Sequence, residues 1–159
     1  MDDKTIKEIL LEILSELKNI RLSMLTSFKE PIEIGDFVYE RVASTMSNPV
    51  PAGAKKHVLI YWDEPQKRGR EFALVGVASD QHDNSYYYWE VDGTLLPISG
   101  EVRVGDFYDP FIFPRPITVR RYIKFMVDNN NLKAYPNPGG EPDDPVPYEG
   151  MFFGFWKRD

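Results

Sequence analysis

The sequence predicts a mainly β protein: an antiparallel β-sandwich, with a jelly roll as its candidate topology, preceded by one N-terminal coiled-coil α-helix. Three observations predict this. Residues 6–24 carry an unbroken heptad seam. After Pro31 the helical spacing stops, and short runs rich in β-branched and aromatic residues follow, separated by Gly, Pro, Asn and Asp. Aromatics make up 14% of the 159 residues, beside 13 Pro and 11 Gly, a balance that favours a turn-rich β body over a helical one. The expected division is a helical oligomerisation stalk over 1–29 and a β-sandwich domain over 30–159.

In the seam, Ile6, Leu10, Ile13, Leu17, Ile20 and Met24 alternate spacings of four and three, which sets them on one stripe of a helix. A lone helix of this length is marginal in water, so the stripe needs a partner. The simplest partner is a second copy of the same helix. With Leu10, Leu17 and Met24 at a, and Ile6, Ile13 and Ile20 at d, each g residue of a parallel bundle faces the next e residue of its neighbour. Asp2 then meets Lys7 and Glu16 meets Arg21, both opposite in charge. Ile9 meets Leu14, which widens the apolar stripe. The expected oligomer interface is therefore Ile6, Ile9, Leu10, Ile13, Leu14, Leu17, Ile20 and Met24. Leu at a with Ile at d disfavours a dimer and leaves homotrimer and homotetramer open.

Thr5 and Glu8 have capping-box spacing, Asp2 or Asp3 suits the positive helix end, and Pro31 supplies a stop. The helix would run to about residue 28 and span roughly 35 Å at ~1.5 Å per residue. The competing reading is an amphipathic helix folded back on its own domain. A membrane-surface helix is disfavoured, since its polar face carries Glu8, Glu12 and Glu16 rather than Lys and Arg.

The body offers strands at 32–39, 57–62, 71–78, 85–91, 101–104, 118–127 and 151–156, with a weaker one at 111–113. Strands without intervening helices point to a sandwich. Asp92-Gly93 between two apolar runs is a hairpin signal, because Gly tolerates the positive φ of the favoured turn. Residues 79–84 and 128–131 read as polar tips, and 136–147 as a long Pro- and Gly-rich loop. Ile34-Gly35-Asp36-Phe37 and Val104-Gly105-Asp106-Phe107 read as two similar turns.

Charge and composition exclude several classes. A net charge of −6 with scattered Lys and Arg opposes nucleic-acid binding. The densest basic cluster, Lys67, Arg68 and Arg70, reads as a solvated loop. No cysteine is present, so disulfides, thiolate metal sites and cysteine nucleophiles are ruled out. The chain shows neither a signal-like start nor a run of ~18 apolar residues, so synthesis in a cytoplasm without membrane insertion is expected. His57 and His82 lie near no nucleophile-elbow motif. Asp63-Glu64 is the best pair of acids for hydrolytic chemistry but reads as a solvated loop. Asp80, Asp83 and Asn84, and likewise Glu141, Asp143 and Asp144, offer oxygen ligands without EF-hand spacing, and read as turn residues. No enzyme, cofactor or metal site is expected.

The aromatics leave one question open. Tyr86, Tyr87, Tyr88 and Trp89 are consecutive, and strand alternation sends Tyr86 and Tyr88 to one face and Tyr87 and Trp89 to the other. One pair must leave the core, to be covered by loops of the same domain, by a neighbouring subunit or by a ligand. Phe152, Phe153, Phe155 and Trp156 pose the same question. Trp62, Tyr86, Tyr88 and Trp89 are the candidate ligand-binding residues.

Three stretches carry a resemblance: the heptad helix at 6–24, Tyr88-Trp89-Glu90-Val91-Asp92-Gly93, and Pro116-Ile117-Thr118-Val119 leading through Ile123-Lys124-Phe125-Met126-Val127 to Asn129-Asn130-Asn131. In this order of parts the chain resembles small virion proteins of tailed phages and related viruses, which set a short helical bundle before a β-sandwich head. The resemblance implies a non-enzymatic head fibre, spike or receptor-binding subunit in the virion. Its partners would be copies of itself, other virion proteins or a host-surface glycan. The alternative is an oligomeric carbohydrate-binding module using exposed aromatics.

Overall fold

The computed structural model describes residues 5–23, 32–136 and 146–158, with the backbone alone described at 18–23 and 32–34. Helix α1 (Ile6–Ser23) is followed by β1 (Ile32–Ile34), β2 (Phe37–Ala43), β3 (His57–Trp62), a short helix α2 (Glu64–Arg68), β4 (Phe72–Ser79), β5 (Ser85–Val91), β6 (Thr94–Leu95), β7 (Phe111–Val119), β8 (Ile123–Asn129) and β9 (Glu149–Trp156). The strands form a five-stranded sheet, β1-β2-β9-β4-β7, and a four-stranded sheet, β3-β8-β5-β6. Every pairing is antiparallel. The pairs are nested: β5 with β6, β4 with β7, β3 with β8, β2 with β9. The closed end of the nest is the Asp92-Gly93 turn, with φ of 51° and 90°, the signature of a two-residue type I′ hairpin.

Alternation builds the core between the sheets. Val38, Phe72, Leu74, Val77, Phe152 and Trp156 from the larger sheet meet Ile60, Trp62, Tyr87, Trp89, Val91, Ile123, Phe125 and Val127 from the smaller one. Gly150 and Gly154 share the inward parity of Phe152. A Cβ at Gly150 would stand 2.3 Å from the Phe125 ring, and one at Gly154 would stand 2.0 Å from the Ala73 carbonyl oxygen. Gly150 lets the two sheets close at this distance, and Gly154 lets β4 pack beside β9 within the larger sheet.

The opposite parity of the larger sheet is apolar too. Phe37, Tyr39, Val75, Ala78, Met151 and Phe153 form a second cluster with Phe107 and with Leu10, Leu14 and Leu17 of α1. Within one chain, then, α1 lies against its own sheet, the folded-back arrangement that the sequence offered beside the stalk. Having both faces covered is why β9 reads as an almost continuous apolar run. Thr5 and Glu8 cap the helix reciprocally, with N–H···O distances of 3.1 and 3.3 Å, as the capping box requires.

Several expected elements differ. Residues 118–127 are not one strand. β7 ends at Val119 and β8 begins at Ile123. Arg120-Arg121-Tyr122 carry no Gly, Pro or Asn, so nothing local marks this turn. It is held from afar: the Asp92 carboxylate accepts the backbone N–H groups of Arg120, Arg121 and Tyr122 at 2.8, 2.7 and 2.9 Å. Residues 101–104 form no strand. Conversely, 111–113 opens a nine-residue strand, in which register passes from Ile112↔Gly76 to Ile117↔Leu74, so that Pro114 and Pro116 sit in a looped-out stretch. That is where a strand tolerates residues without an N–H.

The expected loop around Asp63 and Lys67 is α2. Pro65 lies in its first turn and Gly69 ends it in the left-handed conformation. Lys67 pairs with Asp63 at 3.0 Å and Arg68 with Glu64 at 3.1 Å.

Candidate functional site

Two surfaces stand out once the sheets are in place. The first is the flank of α1. Leu10, Leu14 and Leu17 are 4%, 9% and 7% exposed beneath the helix, whereas Ile6 and Ile9 are 71% and 41% exposed and Ile13 is half-buried. Of the eight expected interface residues, the single chain therefore buries three, half-buries one and leaves two open. Met24 and the side chain of Ile20 lie outside the described residues. Beside Ile13 opens a cavity of about 400 Å³ lined by Glu16, Asp36, Phe37, Phe155, Trp156 and Arg158. Its polar rim is tied down: Asp36 holds Arg70 at 3.3 Å and Arg158 at 3.4 Å.

The second surface is the solvent-facing side of β3-β8-β5-β6. Here the sequence alternation holds for Tyr86 and Tyr88, which are half-buried and whose rings stack at 6.4 Å and 19°. The Tyr86 hydroxyl donates to Glu101, and that hydrogen bond holds its pKa above the usual phenol value. The Tyr88 hydroxyl donates to Asp128 at 2.7 Å. Loss of water around it, and then this bond, push Tyr88 up to about 12. Asp128 also accepts the Lys56 N–H at 2.6 Å, and the Lys56 ammonium lies 5.4 Å from the Tyr88 ring centre.

Further along the same face, Tyr61 and Tyr122 pack at 5.3 Å, with the Lys124 ammonium 5.8 and 5.5 Å from their ring centres. Tyr122 donates to Glu90 at 2.7 Å, which raises its pKa, and Lys124 pairs with Glu90 at 3.5 Å. The face thus carries four tyrosines interleaved with two lysines and three carboxylates.

Trp62 and Trp89, expected among the ligand-binding aromatics, do not reach this face. They are 4% and 2% exposed and lie in the core formed by residues of both sheets. Trp62 packs on Phe72, Phe152 and Trp156 at 4.8, 5.0 and 5.5 Å, and Trp89 stacks on Phe125 at 4.4 Å. Trp89 follows the parity of Tyr87 into the core. Tyr61 was the residue to choose beside Trp62, since alternation along β3 turns one out when the other turns in. Tyr122, Glu90, Lys124 and Asp128 had no separate sequence signal. They meet through the register Glu90↔Lys124 and Tyr86↔Asp128.

The catalytic and metal candidates are not brought together. His82 is buried, its Nε2 donates to the Pro147 carbonyl at 2.8 Å, and its ring lies 4.1 Å from Tyr148. Asp63 and Glu64 are engaged in α2. Among the described residues no group of three His, Cys, Asp or Glu side chains is placed to hold a metal ion. Glu141, Asp143 and Asp144 lie outside the described residues. Among the described residues no helix is long and apolar enough to cross a membrane.

No protein-family model matches the chain, and no curated protein matches it.

Proposed function

We propose that this chain is a non-enzymatic structural subunit that assembles with two or three further copies through α1, in a spike, fibre or attachment protein of a virion. The observation that carries the reading is the width of the apolar stripe on α1. The chain's own sheet covers Leu10, Leu14 and Leu17 and leaves Ile6 and Ile9 to water, and an apolar stripe wider than its cover is a usual mark of an association surface. The body supports the same reading through its topology, which we take as a jelly roll. Setting β1 aside, the orders β2-β9-β4-β7 and β3-β8-β5-β6, with nested pairing, are those of a long hairpin rolled into two sheets. Jelly rolls recur in viral capsid proteins and in lectin domains, a likeness of fold that transfers no site.

Sedimentation equilibrium of the full chain at micromolar concentration tests the proposal. Three or four times the single-chain mass is expected, and the double variant Ile6→Asp, Ile9→Asp, at the two exposed positions, should fall to the single-chain mass. A wild-type chain that sediments as one copy overturns the reading.

A second reading rests on the tyrosine face: a carbohydrate-binding module. Aromatic rings beside carboxylates are a chemistry that stacks on sugar rings and accepts their hydroxyl hydrogen bonds. Glycan-array binding that disappears in Tyr88→Ala and Tyr61→Ala, with the fold retained, supports it. An array with no binding removes it.

A further inference from the structure

We propose that the Asp92-Gly93 step is a site of main-chain isomerisation that the β7–β8 turn keeps closed, so that an opening of this end of the fold is recorded permanently in the chain. It is the one Asp-Gly step in the sequence, which has no Asn-Gly step. Glycine has no Cβ to hinder approach to the backbone beside it. In such a step the glycine nitrogen attacks the carboxyl carbon of the aspartate. A C–N bond forms, a carboxyl C–O bond breaks, and water leaves with the amide proton. The five-membered succinimide then takes up water at either carbonyl. One product is aspartate again. The other is isoaspartate, an isomer of equal mass whose main chain runs through Cβ. The reaction needs no oxidant, metal or second substrate.

Ring closure requires the carboxyl group of Asp92 to turn onto the Gly93 nitrogen and to give up one oxygen as water. Here both oxygens are engaged. Oδ1 accepts the N–H groups of Arg121 and Tyr122 at 2.7 and 2.9 Å, and Oδ2 accepts that of Arg120 at 2.8 Å. The main chain of Asp92 is tied to the same turn. Its N–H donates to the Tyr122 carbonyl at 3.2 Å, and its carbonyl accepts Arg121 Nη2 at 2.6 Å. Every polar atom of Asp92 is therefore committed to residues 120–122. Gly93 is covered by the same residues: a Cβ there would lie 3.5 Å from Arg121 Nη2 and 3.8 Å from the Tyr122 hydroxyl. Isomerisation thus waits on separation of the two turns.

Reclosing would not undo it. Isoaspartate adds a main-chain atom to a two-residue hairpin turn, whose geometry sets the register of its strands. It also moves the free carboxylate onto Cα, one bond nearer the chain and out of reach of the three N–H groups.

The full-length protein is incubated at neutral pH and physiological temperature, folded in buffer and unfolded in guanidinium chloride. Isoaspartate is detected by enzymatic methylation of its carboxylate and located by electron-transfer fragmentation. It should accumulate at position 92 in the unfolded chain and form about a hundredfold more slowly in the folded one, because opening must break several hydrogen bonds at once. Arg121→Ala removes the guanidinium from the Asp92 carbonyl and uncovers Gly93. It should raise the folded rate about three- to tenfold while the circular dichroism stays that of the parent. Converted chains returned to buffer should unfold at a lower denaturant concentration than unconverted ones. Absence of isoaspartate at position 92 in the unfolded chain removes the site. Equal rates in folded and unfolded protein, or no change of rate in Arg121→Ala, overturns the lock. An unaltered unfolding midpoint after conversion overturns the permanent record.

Discussion

Asp92 stands at the closed end of the nested strands and is the side chain whose removal is expected to do most for its size. Its φ is positive at 51°. Its Oδ1 accepts the N–H groups of Arg121 and Tyr122 at 2.7 and 2.9 Å, its Oδ2 accepts that of Arg120 at 2.8 Å, and its carbonyl accepts Arg121 Nη2 at 2.6 Å. One carboxylate thus joins the β5–β6 turn to the β7–β8 turn, across both sheets. In Asp92→Ala three donors lose a charged acceptor. Those of Arg120 and Arg121 are exposed, and water replaces the carboxylate at a net cost of about 0.5–1 kcal/mol each. The Tyr122 donor is partly buried, and its bond to a charged group is worth about 1.5–3 kcal/mol. Alanine also sits poorly at positive φ, where a Cβ without a local hydrogen bond costs about 1 kcal/mol. The expected loss is about 3.5–6 kcal/mol. Asp92→Asn keeps a residue suited to the I′ turn and one acceptor oxygen, so about half the loss is expected. Urea unfolding followed by tryptophan fluorescence measures both. A loss under about 1 kcal/mol for Ala, or equal losses for Ala and Asn, would refute the claim that this carboxylate holds the second turn.

Other outcomes follow from the same geometry. Tyr87 and Tyr88 are each pushed from 10 up to about 12 by burial, with the Asp128 bond adding at Tyr88. A raised folded-state value means that their stabilising contribution is complete below pH 10 and disappears as pH climbs through 12. Tyrosinate absorbance should therefore still be rising in that window as the protein unfolds, and Tyr88→Phe should remove one of the late groups. Gly150→Ala places a methyl 2.3 Å from Phe125. Overpacking of this kind costs about 1–3 kcal/mol, read as a lowered thermal midpoint, and a paired Phe125→Leu should recover part of it. Thr5→Ala removes the reciprocal cap on α1 and should lower helix protection by about 1 kcal/mol, seen in amide exchange of residues 6–10.

The readable parts of the fold were those governed by local rules. The Asp92-Gly93 hairpin, the Thr5–Glu8 cap and the alternation of Tyr86 against Tyr87 each depend on neighbours in sequence, and each stands as expected. Misread parts depend on residues far away. The turn at 120–122 has no local signal because its hydrogen bonds end on Asp92. Strand alternation sets Trp89 with Tyr87 but does not say which parity meets the other sheet; packing sends both Trp89 and Trp62 inward. The helix stripe was legible as apolar but ambiguous in its partner, since a stripe of Leu and Ile matches a sheet and a sister helix equally well on spacing. What separates the leucines from the isoleucines is which of them the second face of β2, β4 and β9 reaches, and that is a property of the folded sheet.

The prolines of β7 bear on how such molecules crowd together. A sheet whose outermost ribbon exposes free amides invites another chain to zip on, main chain to main chain, without limit. Here that ribbon is interrupted at Pro114 and Pro116, its counterpart on the other border is three residues long, and the smaller sheet ends in a two-residue ribbon on one side and a register break at Val58–Ile60 on the other. Short or interrupted borders of this kind discourage growth by backbone zippering. Copies packed at high density are left to meet through side chains rather than by extending a sheet.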